Sequence, residues 1–390
     1  MNRRICVVTG SRADYGLLRR VMQEIKSDSE LDLQIVVTGT HFSTKQGDTY
    51  REIENDGWTI DRKIEFIFGE DTSINIADSI ASVVSGCTRS FKELQPHIIL
   101  VLGDRYEIFA AATAALISKI PIAHIHGGES TFGSYDEAFR HSITKMSQIH
   151  FVATETYGAR VRQLGENPEN IHVVGGIGID EIQDFQPLEI STIEQSLGIK
   201  LLEKKFLVTF HPVTLDSNSS SYQLEQLLRT LEDRKDTSII FTAPNGDEGN
   251  LFLSEMITEF VRENPNAHFF RSLGRSLYLS LMAISDCVIG NSSSGIIEAP
   301  SLKVASIDIG LRQEGRVRAS SVINCEAKES EIRVALNRIC SEEFRNKVKT
   351  TINPYGNGGS SQKIVKVLKS VSLENSMIKR FFDCLEDVKL

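Results

Sequence analysis

Ile5-Cys6-Val7-Val8-Thr9-Gly10-Ser11-Arg12-Ala13-Asp14-Tyr15-Gly16 sets a strand-length apolar run against a Gly-Ser turn and the start of a helix. The run is rich in β-branched residues, and apolar residues at helical spacing continue over Tyr15–Ile25. The same alternation repeats along the chain. In the first half the apolar runs are Ile5–Val8, Leu33–Val37, Ile98–Leu102, Ile120–Ile125, Ile149–Val152 and Ile171–Val174. In the second half they are Phe206–Phe210, Ile239–Phe241, His268–Phe270, Cys287–Ile289 and Val304–Ile309. Helical periodicity fills the intervals, as in Ile108–Ile117 and Tyr222–Leu231. Strands alternating with helices predict parallel sheets covered on both faces. A doubly wound α/β architecture is therefore expected twice.

The boundary between the two is placed in Gly175–Pro187, a glycine-rich segment after a strand and before a polar helical stretch. This gives a first domain over 1–180, a second over 181–362, and a tail over 363–390 that reads as helix. At 390 residues the chain is too long for one ordinary core, which fits two domains. A formal charge of −9 argues against a general affinity for nucleic acid or anionic membrane, so a phosphate ligand needs a local cluster of donors. Cys6, Cys87, Cys287, Cys325, Cys340 and Cys384 form no CxxC pair and read as free thiols in a reducing compartment. No apolar run approaches the ~20 residues of a membrane helix, and the run at the start is too short for a signal-peptide core. A cytoplasmic protein is expected.

In open α/β sheets, ligands collect beyond the carboxyl ends of strands, where backbone N–H groups and helix N-termini face an anion. After the first strand, Arg12 either forks onto a phosphate or is a surface arginine beside a capped helix start. The segment is neither a Walker A loop nor GxGxxG, which disfavours a nucleoside triphosphatase or a dinucleotide enzyme. Further along come Gly103-Asp104-Arg105-Tyr106-Glu107, His124-Ile125-His126-Gly127-Gly128-Glu129 and Tyr135-Asp136-Glu137-Ala138-Phe139-Arg140-His141. Carboxylates at this density repel unless a task or a counter-charge holds them, and Arg105 and Arg140 supply that charge. Asp136 and Arg140 have i,i+4 spacing. The blander alternative is a capping aspartate with a surface ion pair. His124, His126 and Glu129 are a weak metal set, because two glycines follow at once and the strand does not continue; no metal is assigned.

In the second half, His211-Pro212 and Thr242-Ala243-Pro244-Asn245 each follow a strand. Gly290-Asn291-Ser292-Ser293-Ser294-Gly295-Ile296-Ile297-Glu298 then puts three serines and two glycines at a strand-to-helix turn. That pattern suits a diphosphate cradle better than N-capping, which needs one serine. Glu298, one turn on, is placed to accept from ribose hydroxyls. Arg312, Gln313 and Arg316 add counter-charge after the last strand.

Taken in order, Arg12-Ala13-Asp14-Tyr15, Gly103-Asp104-Arg105, His126-Gly127-Gly128-Glu129, Arg140-His141-Ser142-Ile143-Thr144-Lys145, His211-Pro212, Gly290-Asn291-Ser292-Ser293 and Arg312-Gln313-x-Gly315-Arg316 span nearly the whole chain. They resemble the UDP-N-acetylglucosamine 2-epimerases, especially the hydrolysing branch that feeds sialic-acid-type biosynthesis. The resemblance implies two Rossmann-like domains of GT-B type, a ligand cleft between them and a C-terminal helix returning to the first domain. It implies no cofactor, and a reaction in which a base removes the proton at sugar carbon 2 while UDP leaves as a diphosphate. The resulting 2-acetamidoglucal is then hydrated to N-acetylmannosamine. By motif, Asp104, His126 and Asp136 form the acid–base group, with Glu129 and Glu137 beside them and Arg140 and His211 as electrostatic partners. The nucleotide side comprises Arg12, Asp14, Arg105, His211, Asn245, Ser292, Ser293, Gly295, Glu298 and Arg312. His126 stands where many members carry a carboxylate, and Gly16 where some carry serine.

Three other readings compete. The same chemistry on a UDP- or GDP-linked 2,4-diacetamido-trideoxyhexose (N,N'-diacetylbacillosamine), on the way to legionaminic-type acids, would leave nearly identical motifs. A GT-B glycosyltransferase would need an acceptor face that the sequence does not display. A non-catalytic sugar-nucleotide sensor would keep Ser292, Ser293 and Glu298 without reason to keep the acidic cluster. A homodimer is expected on symmetry grounds.

Overall fold

The computed structural model describes residues 2–43, 47–66, 72–131, 136–213, 217–244 and 250–383. Thirteen strands are found among them: β1 (Arg3–Thr9), β2 (Leu31–Val37), β3 (Arg62–Lys63), β4 (Ile98–Leu102), β5 (Ile122–Ile125), β6 (Ile149–Val152), β7 (Ile171–Val173), β8 (Lys204–Thr209), β9 (Thr237–Thr242), β10 (Ala267–Phe270), β11 (Cys287–Gly290), β12 (Ala305–Ile309) and β13 (Val322–Cys325). They form two wholly parallel sheets, ordered β3-β2-β1-β4-β5-β6-β7 and β10-β9-β8-β11-β12-β13. The chain divides into two compact units: one carries the first sheet and the segment from Gly358 onward, the other spans Glu181–Asn357. Both units are Rossmann-like.

The apolar runs are the strands because a parallel sheet buries both faces. β4 is buried at all five positions, and so is β12. Two strands lie outside the expected set, and both are sheet edges. β3 is two basic residues paired to Val36 and Val37, too short and too polar to stand out. β13 is interrupted by Asn324, whose amide turns back to donate to the Asp308 carbonyl at 3.0 Å.

The helix Arg12–Ser27 starts on a capping box between Ser11 and Asp14 and buries Tyr15, Leu18, Val21, Met22 and Ile25. That stripe meets Ile364, Val365 and Leu368 of the helix Ser360–Ser370 in one core. Each fully buried aliphatic side chain there contributes roughly 1.5–3 kcal/mol. The returning helix is held at its start by Asp180, whose carboxylate accepts from the Ser360 and Ser361 N–H groups at 2.8 and 2.6 Å.

The tail expected as helix over 363–390 is corrected: the helix ends at Ser370, and residues 371–383 follow an irregular path. Asn375 takes a left-handed φ of 54°. The path lets Lys379 donate to the carbonyls of Lys145 (2.7 Å) and Ser147 (2.5 Å) at the end of the helix Asp136–Met146, and pair with buried Glu166 at 2.6 Å. Phe381 packs against Gly165. A continuous helix could not place a cation on those carbonyls and a ring on that glycine together.

Asp180→Ala removes the acceptor from two buried N–H groups, so a loss of about 1–3 kcal/mol is expected, with Asp180→Asn losing less. Urea denaturation checks it. A midpoint equal to the parent's in Asp180→Ala would remove this clamp from the account.

Candidate active site

In an open parallel sheet the ligand crevice lies where the strand order reverses. In the first sheet that point is between β1 and β4. Gly10 and Ser11 follow β1, Gly103–Glu107 follow β4, and His126–Glu129 follow β5. The side chain that ties these loops together is Arg140, on the helix Asp136–Met146 and only 1% exposed. One of its terminal nitrogens binds Asp104; the other donates to Glu137 Oε2 at 2.5 Å and to the Glu129 carbonyl at 3.1 Å. Glu137 Oε1 also meets His141 Nε2 at 3.0 Å. Asp136 opens the same helix. The guanidinium of these ion pairs is buried and its carboxylates are about a quarter exposed, unlike the surface pair of the blander reading.

His126 sits directly after β5 with φ at +66°, the left-handed region that a non-glycine residue enters at a cost. The twist brings its Nδ1 to 3.4 Å from Glu129 Oε1, with the ring 14% exposed and the carboxylate 3%. His124 points the other way. Its Nε2 donates to the Gly103 carbonyl at 2.7 Å, which leaves Nδ1 of the neutral ring facing Thr144 Oγ1 at 3.2 Å. Burial drives its pKa down to about 3. Both ring nitrogens are therefore committed within the protein, and His124 serves as a strut beneath Asp104 rather than as a ligand.

On the β1 side, Asp14 Oδ2 accepts from the Gly10 N–H at 2.8 Å, and Oδ1 from the Ser11 N–H at 2.7 Å and the Ser11 hydroxyl at 2.6 Å. Burial raises its pKa against these bonds. Its acceptors close the turn, so it shapes the site. Arg12 is half-exposed and pairs with Glu52 at 3.0 Å. Arg105 donates from Nε to Glu107 at 2.8 Å.

The second sheet reverses between β8 and β11. Gly290 ends β11 at a φ of 136°, and a Cβ there would lie 1.9 Å from the Thr209 carbonyl oxygen, so only glycine fits. Next comes Asn291, fully buried. Its Oδ1 accepts from the His211 N–H at 2.7 Å and its Nδ2 donates to the His211 carbonyl at 2.8 Å. Its own carbonyl accepts from Arg312 Nη1 at 3.1 Å and Gln313 Nε2 at 2.9 Å. One asparagine thus fixes His211 and Arg312 around the serine turn. Ser292 and Ser294 hydroxyls lie 3.0 Å apart, and Ser294 meets the Tyr278 hydroxyl at 2.6 Å. Ser293 leads the short helix Ser294–Ile297 without a side-chain capping bond. Gly295 packs tightly on Ser306 of β12. Glu298 is buried and accepts from Arg275 Nη1 at 2.7 Å, and Arg275 also pairs with Glu181 at 2.7 Å. Asn245 lies outside the described residues.

Residues 23–369 match the sequence profile of the family described as UDP-N-acetylglucosamine 2-epimerase. The chain belongs to the UDP-N-acetylglucosamine 2-epimerase family. It is 39% identical, over 98% of its length and 99% of the relative's, to the hydrolysing GDP/UDP-N,N'-diacetylbacillosamine 2-epimerase of Campylobacter jejuni subsp. jejuni serotype O:2. A hydrolysing UDP-N,N'-diacetylbacillosamine 2-epimerase of Legionella pneumophila is 34% identical over 97% of this chain and 99% of the relative. In fold, the UDP-GlcNAc 2-epimerase of Neisseria meningitidis bound to UDP-GlcNAc superposes with a TM-score of 0.82 at 21% identity, covering 94% of this chain and 99% of that one. The family makes this chain an enzyme of the 2-epimerase kind, and the Campylobacter and Legionella relatives are both named as hydrolysing. Among its described helices, none is long and apolar enough to cross a membrane.

Two positioning residues of this epimerase-family site escaped the sequence reading. Asn291 stood inside a recognised motif but carries no charge to mark it, and His124 looked like a ligand candidate.

His41, buried between Thr9 and Thr49, has its pKa lowered to about 4, as burial lowers His124 to about 3. The folded protein resists these protons while the unfolded chain takes them up near 6.5. Stability is therefore expected to fall as pH drops below 6.5, by about 1.4 kcal/mol per unit for each histidine, until the folded values are reached. Denaturation at pH 7 and pH 5 tests this with His124→Gln, which is expected to lose less on acidification than the parent. Equal losses would contradict it.

Proposed function

We propose that this chain hydrolyses a nucleotide-linked 2-acetamido sugar with inversion at carbon 2, releasing the free 2-epimer and the nucleoside diphosphate. The observation that carries the reading is the buried Arg140, which holds Asp104, just after β4, and Glu137 of its own helix, and donates to the Glu129 carbonyl as a third partner, while Glu129 faces His126 after β5. Proton transfer at an unactivated carbon needs a base on one face, an acid for the other, and positive charge for the departing diphosphate. Asp104, His126 and Asp136 are the acid–base candidates, with Glu129 and Glu137 setting the local charge. Arg12, Arg105, His211, Ser292, Ser293, Glu298, Arg312 and Asn245 are the candidates for the nucleotide. Glu298 would receive ribose hydroxyls on the oxygen that Arg275 leaves open. The base breaks the C2–H bond as the C1–O bond to the diphosphate breaks, leaving a C1=C2 glycal. Water then adds its hydroxyl at carbon 1 while a proton reaches the opposite face of carbon 2.

UDP-N-acetylglucosamine is the substrate that the family description supports, giving N-acetylmannosamine for sialic-acid-type biosynthesis. A second reading, UDP- or GDP-linked N,N'-diacetylbacillosamine, is favoured by the names of the relatives at 39% and 34% identity. We place the enzyme in the cytoplasm, where nucleotide sugars are made, as a homodimer. Incubation with each nucleotide sugar followed by NMR of the released sugar separates the readings. N-acetylmannosamine is expected from the first, and the manno-configured diacetamido sugar from the second. Release of neither would overturn the proposal.

A further inference from the structure

Glu107 belongs to none of the roles above, yet it lies at the reversal point of the first sheet. It occupies the second position of the helix Tyr106–Ile117 that follows β4, and it is completely buried. Its side chain presses against the turn that follows β1: a Cβ on Gly10 would lie 2.4 Å from Glu107 Cγ and 2.9 Å from Oε1. Oε1 accepts from Arg105 Nε at 2.8 Å. Oε2, also buried, has no hydrogen-bond partner among the described residues. Asp14, the neighbouring carboxylate, has both oxygens committed to Gly10 and Ser11 and does not compete for Arg105.

Arg105 is asymmetric in the same way. Its Nε is fixed on a buried carboxylate while its side chain remains 37% exposed, and its two terminal nitrogens make no protein hydrogen bond among the described residues. Its guanidinium carbon stands 5.6 Å from the Tyr106 ring centroid. The Nη edge of a guanidinium is the edge that grips a phosphate bidentately. Burying a glutamate to hold one N–H of an arginine is a poor route to stability, since an apolar residue of similar size would serve the core better. It is a good route to orientation, because it removes the rotamer freedom that phosphate binding would otherwise have to remove. The helix N-terminus supports the buried charge.

We infer that Glu107 is a positioning residue, which aims the Nη edge of Arg105 at the diphosphate of the nucleotide. The inference rests on the nucleotide-sugar reading above, so its test uses UDP itself. Calorimetric titration of UDP into the parent, Glu107→Gln, Arg105→Ala and the double variant reads out the coupling. Glu107→Gln is expected to weaken UDP binding about tenfold, and the double variant to bind no more weakly than Arg105→Ala alone. Independent, additive losses would mean that Glu107 merely supports the fold, and would overturn the inference. A parent that binds UDP while Glu107→Gln binds it equally well overturns this inference alone; a parent that binds no UDP overturns the nucleotide reading and this with it. Should Glu107→Gln not fold, Arg105→Ala decides. Low-millimolar guanidinium is expected to restore UDP affinity, because Glu107 would hold the ion in the vacated place. No restoration would count against Glu107 as the holder.

Discussion

A buried guanidinium needs anions and carbonyls around it, and clustered carboxylates need a cation among them. Arg140 answers both demands. It is 1% exposed, and its partners come from the loop after β4, the loop after β5 and its own helix. Removing both carboxylates would leave the buried guanidinium without a counter-charge, at a cost of about 3–5 kcal/mol. The loops that carry Asp104 and Glu129 are therefore held by electrostatics where the regular sheet ends. The strut from His124 to the Gly103 carbonyl and the cation of Lys379 at the far end of the Arg140 helix brace the same arrangement.

The second unit solves the corresponding problem with neutral groups. At its reversal point Asn291 takes both backbone bonds of His211 and offers its own carbonyl to Arg312 and Gln313. An amide can donate and accept at once, so it fixes two loops without adding charge to the turn that we propose receives the diphosphate. The difference suits the two tasks assigned to the units: proton chemistry beside carboxylates in one, diphosphate recognition by hydroxyls and arginines in the other.

The two sheets were legible because a parallel strand advertises itself through an unbroken apolar run, and the switch points follow from the order of the strands. That Asp104, Glu137 and the Glu129 segment gather on Arg140 was legible in part, because so many carboxylates close to strand ends and a helix start call for a counter-charge. What stayed hidden depends on pairs far apart in the chain. Glu298 was read as a ribose acceptor, but nothing near it in sequence announces Arg275 as its partner, an arginine it shares with Glu181. Arg12 was read as a phosphate fork or a surface residue, and its link to Glu52 spans forty positions. The tail read as helix because it lacks strand-like runs, whereas its path after Ser370 is dictated by where Lys379 and Phe381 dock. Edge strands β3 and β13 carry too little apolar sequence to be seen before their partners are placed.

The account turns on proton exchange at carbon 2 by the cluster that Arg140 organises. Turnover in D₂O, with the released sugar analysed by NMR, tests this most directly. One deuterium at carbon 2 and the manno configuration are predicted, since the abstracted proton is lost and solvent supplies its replacement on the other face. A released sugar with the original configuration and no deuterium at carbon 2 would mean simple cleavage at carbon 1, and would contradict the mechanism.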